Sequence, residues 1–441
     1  MTIYALASAP GRAAIAVIRL SGPASGDAIE ALTGCGLPPP RQASVRRLSD
    51  PSRGEVLDDA LVLWFPAPAS YTGEDAAELH VHGGRAVLDA VMDALARQPG
   101  LRPAEPGEFT RRAVTHGRMD LTRAEAVADL VDAATGEQRR QALSQFSGSL
   151  DVLYSGWSER LKRVLAHVEA AIDFPDEDLP DDVVALVDCD LAELITAMDD
   201  HLDDHQRAER LREGISVAIV GAPNVGKSSL MNRLAQRDAV IVSEQAGTTR
   251  DIVEIDMEVG GFEVLLADTA GLRESDQAVE AEGIRRARER AVEADLRLVV
   301  VDATRLAETT VDVEDLVDAR SLVVANKCDL APIAPDKRIL DQAAWPISCA
   351  TGEGLDPLIG GLKETLWALW PNRDQPGPSR ARHRAGVAAA IEALRRARDA
   401  GDAELRGEDL RMALRAIDRL TGHTDVEALL DVIFRDFCIG K

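Results

Sequence analysis

The sequence predicts a multidomain α/β plus all-α chain: an N-terminal α/β domain, a helical domain, and a Ras-like P-loop α/β domain inserted into that helical part. Three observations predict it. Strand-like runs separated by turns fill residues 1–118. Apolar residues then recur every three or four positions on both sides of a central block. The block itself, 214–370, carries a phosphate-loop pattern with its companion loops in order.

In the N-terminal part, Tyr4 to Ala7 and Ile15 to Leu20 read as strands around the turn Ala9-Pro10-Gly11-Arg12. Val56 to Phe65 and Ala76 to Val81 read as two more strands, and Val87 to Leu95 has helical spacing. From Met119 the pattern turns helical. Thr122 with Glu125 predicts a capping box. Leu153, Trp157, Leu161, Val164, Val168 and Ile172 predict a long helix. Asp173 to Asp182 is an acidic, proline-punctuated break, and Val183 to Leu211 is helical again. These elements make 119–213 the first part of the helical domain and 371–441 the second. The second part carries the stripe Leu410, Ala413, Leu414, Ile417, Leu420 and a second capping box at Thr424 and Glu427. The simplest architecture joins the two parts, so that the inserted domain begins and ends at neighbouring points.

Inside the block, Ile215 to Val220 is a short apolar strand followed by Gly221-Ala-Pro-Asn224-Val225-Gly226-Lys227-Ser228-Ser229 and a helix start. The glycines let backbone N–H groups face phosphate oxygens, Lys227 reaches the β- and γ-phosphates, and the Ser228 hydroxyl suits Mg²⁺. Asp268-Thr269-Ala270-Gly271 follows an alternating strand; such an Asp holds Mg²⁺ through water, and the Gly amide meets the γ-phosphate. Asn326-Lys327-Cys328-Asp329 closes an apolar run, where the Asp329 carboxylate can accept two N–H bonds from guanine. Ser348-Cys349-Ala350 ends another strand and supports the base. Gly247-Thr248-Thr249-Arg250-Asp251 lies where a switch loop belongs. Five elements in this order predict a GTPase. The glutamine that often follows DxxG and orients the attacking water is Leu272 here, so catalysis must be supplied from elsewhere.

The totals agree. At 441 residues and 46% apolar content the chain can bury several cores. A net charge of −25 argues against a free-standing nucleic-acid binder. Five scattered cysteines without metal spacing point to a reducing, cytoplasmic setting. Cys35, Cys189, Cys328 and Cys349 are expected to fill space, and His80-Val-His82 to serve surface or packing. No secretory leader pattern and no run of membrane-spanning length is present.

Along nearly its whole length the chain resembles the MnmE (TrmE) tRNA-modification GTPases. The shared motifs are Pro10-Gly11-Arg12, Ser70-Tyr-Thr-Gly-Glu-Asp75, Glu78-Leu-His80, His82-Gly-Gly84, Pro106-Gly-Glu-Phe-Thr-Arg-Arg112, Asp120-Leu-Thr-Arg-Ala-Glu-Ala126, Ile172-Asp-Phe-Pro175 and the terminal Cys438-Ile-Gly-Lys441. The resemblance implies a homodimer through the N-terminal domain, which binds a tetrahydrofolate derivative (5-formyl- or 5,10-methylene-tetrahydrofolate). It carries folate contacts over to Arg19, Glu78, Arg118 and Lys441, with Arg118 standing where the family often has Lys. It implies an FAD-dependent partner, MnmG (GidA), in a heterotetramer. The pair would install an aminomethyl-type group on C5 of the wobble uridine of certain tRNAs.

For hydrolysis the resemblance implies K⁺ bound by Asn224 with Ser243, Gln245 and Thr248. It implies Mg²⁺ on Ser228 and Thr249, and Glu280 as the catalytic carboxylate that polarises water; Ser243, Thr248 and Thr249 would also border the nucleotide. Arg250 and Arg273 would rim the contact between paired G domains. Cys438 has two readings, a thiolate in the tRNA reaction or an unreactive terminal thiol. A ribosome-assembly GTPase of the Era or Der type is the alternative. It shares the PNVGKSSL loop but adds an RNA-binding module or a second G domain.

Overall fold

The computed structural model describes residues 1–173, 181–204, 206–237, 254–268, 288–311, 313–334, 337–371, 376–422, 427–434, 437 and 440. The chain divides into two compact units. One comprises Met1–Ala128, Gln145–Asp190 and Glu392–Lys441; the other comprises Asp129–Ser144 and Leu191–Ile391.

The first unit holds a six-stranded sheet of order β3-β4-β5-β2-β1-β6. Its strands are β1 (Thr2–Leu6), β2 (Ile15–Ser21), β3 (Ser44–Ser49), β4 (Val56–Phe65), β5 (Ala76–His82) and β6 (Leu101–Pro103). β2 buries Ala16, Ile18 and Leu20, and β4 buries Ala60, Val62 and Trp64. This alternation sets one face against the helices α1 (Ser25–Thr33) and α2 (Arg85–Ala96). On the other side Ile3 and Ala5 pack with Phe109 of α3 (Glu108–Thr115). Sequence periodicity passes over β3, β6, α1 and α3: β3 is an edge strand of two arginines and two serines with little apolar pattern, and α3 has a polar sequence.

Next come α4 (Leu121–Asp132), α5 (Gly136–Phe146), α6 (Ser149–Asp173), α7 (Asp181–Leu202) and α8 (Arg207–Glu213). The expected capping box at Thr122 is corrected. Thr122 lies inside α4, 1% exposed, and the cap is Asp120, whose Oδ1 accepts from the Thr122 N–H at 2.8 Å and the Arg123 N–H at 3.1 Å. Within this unit α6 packs on the helix Ala403–Thr421, where Ser158 Oγ donates to Asp418 at 2.6 Å and Gly407 leaves room for Ile172. The expected box at Thr424 and the acidic stretch 174–180 lie outside the described residues.

The expected continuous helix from Val183 to Leu211 is also corrected. It breaks after Leu202, because the Asp204 carboxylate accepts the Gln206 N–H at 2.9 Å and the Ala208 N–H at 3.2 Å and so starts α8. Arg384 then donates to the Leu202 carbonyl at 3.0 Å and to Glu209 at 3.2 Å, and also binds Asp204. Arg212 donates to the Ser379 carbonyl at 2.9 Å. The segment before the phosphate-binding domain and the segment after it are thereby fastened together.

That domain is a seven-stranded sheet of order β12-β13-β11-β10-β7-β9-β8. Its strands are β7 (Ile215–Val220), β8 (Glu254–Val259), β9 (Phe262–Asp268), β10 (Leu296–Asp302), β11 (Ser321–Asn326), β12 (Arg338–Ile339) and β13 (Gln342–Pro346). β13, β11, β10, β7 and β9 run parallel, and β8 and β12 are antiparallel edges. β10 and β11 are buried at every residue, since both faces are covered. The chain leaves β7 for β8 and β9 on one side and reaches β10 on the other. This reversal opens a crevice at the carboxyl ends of β7 and β10.

Candidate functional site: a nucleotide crevice

The loop Gly221–Gly226 joins β7 to α9 (Lys227–Arg237) at that crevice. Its glycines are dictated by close approach. A Cβ on Gly221 (φ +159°) would lie 2.3 Å from the Val300 carbonyl oxygen of β10, and one on Gly226 (φ +104°) would lie 2.2 Å from Asn326 Nδ2. Asn224 sits in the left-handed region, which Asn tolerates, at φ +63°. Lys227 is 8% exposed, and its Nζ donates to the carbonyls of Gly221 at 2.8 Å and Ala222 at 3.0 Å. The ammonium therefore lies within the loop, where phosphate would sit. Ser228 and Ser229 follow on the first turn of α9, whose N-terminus adds its dipole.

The loops after β11 and β13 close on this one. Asn326, 3% exposed, donates from Nδ2 to the Val225 carbonyl at 2.8 Å and accepts from the Cys349 N–H on Oδ1 at 3.0 Å. Lys327 (φ +67°) donates to the Asn224 carbonyl at 3.1 Å and pairs with Asp302 at 2.6 Å. Burial would raise the Asp302 carboxyl. The hydrogen bonds from Lys327 and Thr304 outweigh it, so the group sits below its ordinary range. Ser348 is 1% exposed. Burial pushes the Cys349 thiol up to about 11, with Arg233 pulling it down and Asp329 pushing it up. Cys349 is thus a neutral packing group at neutral pH, and Asp329 lies near it. Arg233 of α9 donates to the carbonyls of Cys349 and Ala350, each at 2.8 Å.

Sequence spacing missed Arg233 and Asp302. Asp302 had a local signal, an acid ending the run Leu298 to Val301, as Asp268 ends β9. Arg233 had none, because its partners lie 116 and 117 positions away.

Of the other predicted residues, Asp268 is the last residue of β9, and its side chain lies outside the described residues. Ser243, Gln245, Thr248, Thr249, Arg250, Thr269, Ala270, Gly271, Leu272, Arg273, Glu280, Cys438 and Lys441 lie outside them as well.

In the N-terminal sheet Arg19 and Glu78 are cross-strand partners, with Nη2 to Oε1 at 3.0 Å, and Glu78 also meets His80 Nε2 at 3.2 Å. The Arg19 guanidinium lies 5.3 Å from the Tyr71 ring centroid and 5.9 Å from that of Phe109. Arg118 packs against Gly73 of the same 70–75 segment that supplies Tyr71. That segment is anchored by Arg112, which pairs with Glu74 at 2.9 Å and Glu108 at 3.0 Å, while Ser21 Oγ meets Thr72 Oγ1 at 2.7 Å. The motif residues Thr72, Glu74, Glu108 and Arg112 therefore hold the loop in place. His82 meets Asp58 at 2.7 Å on the surface, as expected. Cys35 and Cys189 are exposed, which corrects their expected space-filling role.

Residues 2–118 match the family described as GTP-binding protein TrmE N-terminus, and 121–438 match the MnmE helical domain. The chain is 54% identical over 452 residues to tRNA modification GTPase MnmE of Rhodospirillum rubrum, covering 100% of this chain and 99% of the relative. It is 48% identical over 458 residues to the human 5-taurinomethyluridine-[tRNA] synthase subunit GTPB3, mitochondrial, covering 100% and 93%. Among solved structures, the FeoB G-domain of Methanococcus jannaschii is similar at 26% identity, 34% of this chain, 97% of that one and a TM-score of 0.27. With both family descriptions matched in order and full-length relatives at this identity, the chain belongs to the MnmE family of tRNA modification GTPases.

Proposed function

We propose that this chain is a K⁺-stimulated GTPase that acts in tRNA modification. Asn326 is the observation that carries the nucleotide reading: one buried amide ties the phosphate loop to the base loop. Lys227 would neutralise β- and γ-phosphate charge, and Ser228 with Thr249 would hold a Mg²⁺ that offsets charge on the phosphates. Asp268 supports the metal through water. Asp329 accepts the guanine N–H groups, with Lys327 and Ser348 to Ala350 framing the base. Asn224, Ser243, Gln245 and Thr248 form the K⁺ site, and Glu280 polarises the attacking water in place of the missing glutamine.

The domain division is 1–118, 119–213, 214–370 and 371–441, with the chain paired through its N-terminal domain in the cytoplasm. Arg19, Glu78, Arg118 and Lys441 bind a tetrahydrofolate one-carbon donor. With an FAD-dependent MnmG-like partner, the protein adds a (carboxymethyl)aminomethyl-type group to C5 of the wobble uridine, U34. Full-length similarity to a relative named as a subunit of a tRNA-modifying synthase supports a shared assembly. The test is GTP hydrolysis in K⁺ against Na⁺ at matched ionic strength, with Glu280→Ala alongside. A K⁺ preference with activity lost in the variant is expected. Equal rates in both salts overturn the cation site.

A further inference from the structure

The Arg233 guanidinium makes two hydrogen bonds to consecutive carbonyls, Nε to Cys349 and Nη2 to Ala350, each at 2.8 Å. A rigid planar fork on two carbonyls fixes the orientation of the chain as well as its distance. In a trans peptide the C=O and the next N–H point in opposite directions. Holding the Cys349 carbonyl toward α9 therefore turns the Ala350 N–H away from α9.

The neighbouring N–H groups of this turn are already engaged. Ser348 N–H donates to the Glu353 carbonyl at 2.9 Å, Cys349 N–H to Asn326 Oδ1 at 3.0 Å, Thr351 N–H to Ser348 Oγ at 3.1 Å and Gly352 N–H to the Ser348 carbonyl at 2.8 Å. Among the described residues the Ala350 N–H meets no acceptor. An aimed backbone donor beside the Asp329 loop suits a purine with an acceptor at position 6. It opposes one with an amino group there, because two donors then face each other.

We propose that Arg233 is a specificity-positioning residue: by gripping the Cys349 and Ala350 carbonyls it aims the Ala350 N–H at the 6-oxo group of the bound purine. The proposal rests on the reading of this crevice as a guanine-nucleotide site. Arg233 touches no substrate atom and acts through the peptide planes it holds.

The experiment uses the full chain and measures dissociation constants for GDP, ADP and 2-aminopurine riboside diphosphate, which lacks the oxygen at position 6. Arg233→Ala is expected to weaken GDP about tenfold while 2-aminopurine riboside diphosphate stays within about twofold, so the preference between the two collapses. Arg233→Lys should fall between, because an ammonium reaches one carbonyl and does not fix the plane. Arg233→Gln serves the same test if the alanine variant does not fold, as judged by circular dichroism. Equal loss for both nucleotides, or no change in either, would overturn the role. A wild-type protein that binds GDP and ADP alike would instead overturn the guanine reading, and with it the proposal.

Discussion

Asn326 Nδ2 lies 2.8 Å from the carbonyl oxygen of Val225, joining two loops that are 101 positions apart in the chain. The same side chain receives the Cys349 N–H, so one amide links three loops. Asn326→Ala leaves a carbonyl and an N–H buried without partners, at about 1–3 kcal/mol each. GDP affinity should fall between about tenfold and a hundredfold, read by displacement of a fluorescent nucleotide. Asn326→Asp replaces the Nδ2 donor with an acceptor facing Val225 and should be no better than alanine. Wild-type affinity in either variant would contradict the linking role.

Gln138 does comparable work at the edge strand pair. Its Oε1 accepts from the Ala134 and Thr135 N–H groups at 2.7 and 2.9 Å, and its Nε2 donates to Glu263 of β9 at 2.8 Å. Gln138→Ala should destabilise the protein by about 1–3 kcal/mol and speed amide exchange at Ala134 and Thr135. Gln138→Glu brings a second carboxylate against Glu263. Its thermal midpoint should be lower still at pH 7.

His201 gives a pH dependence. Burial, then the charges of His383 and Arg384, lower its pKa from 6.5 to about 4. As pH falls through 6.5 the unfolded chain takes up a proton that the folded chain refuses until about pH 4. Stability is therefore full above 6.5 and declines across that window, by roughly 3 kcal/mol in all. Urea midpoints at pH 7.5 and 5 measure the decline, and His201→Gln should flatten it. An unchanged slope in the variant would assign the pH response to other groups.

Gly440 reports on the C-terminal tail. It has φ +100°, and a Cβ there would lie 2.3 Å from the Leu6 carbonyl oxygen of β1. Gly440→Ala should lift the tail from β1 and accelerate its removal by carboxypeptidase about tenfold or more. Gly401→Ala is the control, since an added Cβ there meets nothing within 4 Å. Equal digestion of both variants and wild type would show that the tail is not held at this point.

The nucleotide loops were legible because their chemistry is local. Gly221 to Ser229 and Asn326 to Asp329 each supply their groups within a few residues, and the apolar runs before them announce buried strands. Helix starts are less legible in the sequence. Thr122 and Glu125 matched a capping pattern, yet Asp120 caps α4 because its shorter carboxylate reaches the free N–H groups at the actual first turn. Asp204, likewise, broke an apolar periodicity that otherwise ran on to Leu211.

By itself the sequence determined that a phosphate-binding α/β domain sits inside a helical chain, and which family the chain resembles. Both follow from short-range spacing and from the period of its apolar residues. Tertiary structure alone decided which distant side chains hold the site together. Arg233 reaches the 348–350 loop, Asp302 receives Lys327 and Arg384 fastens both ends of the inserted domain. Partners of this kind are chosen by the three-dimensional approach of separate strands and helices, and each must satisfy a buried carbonyl, N–H or charge that no local pattern records.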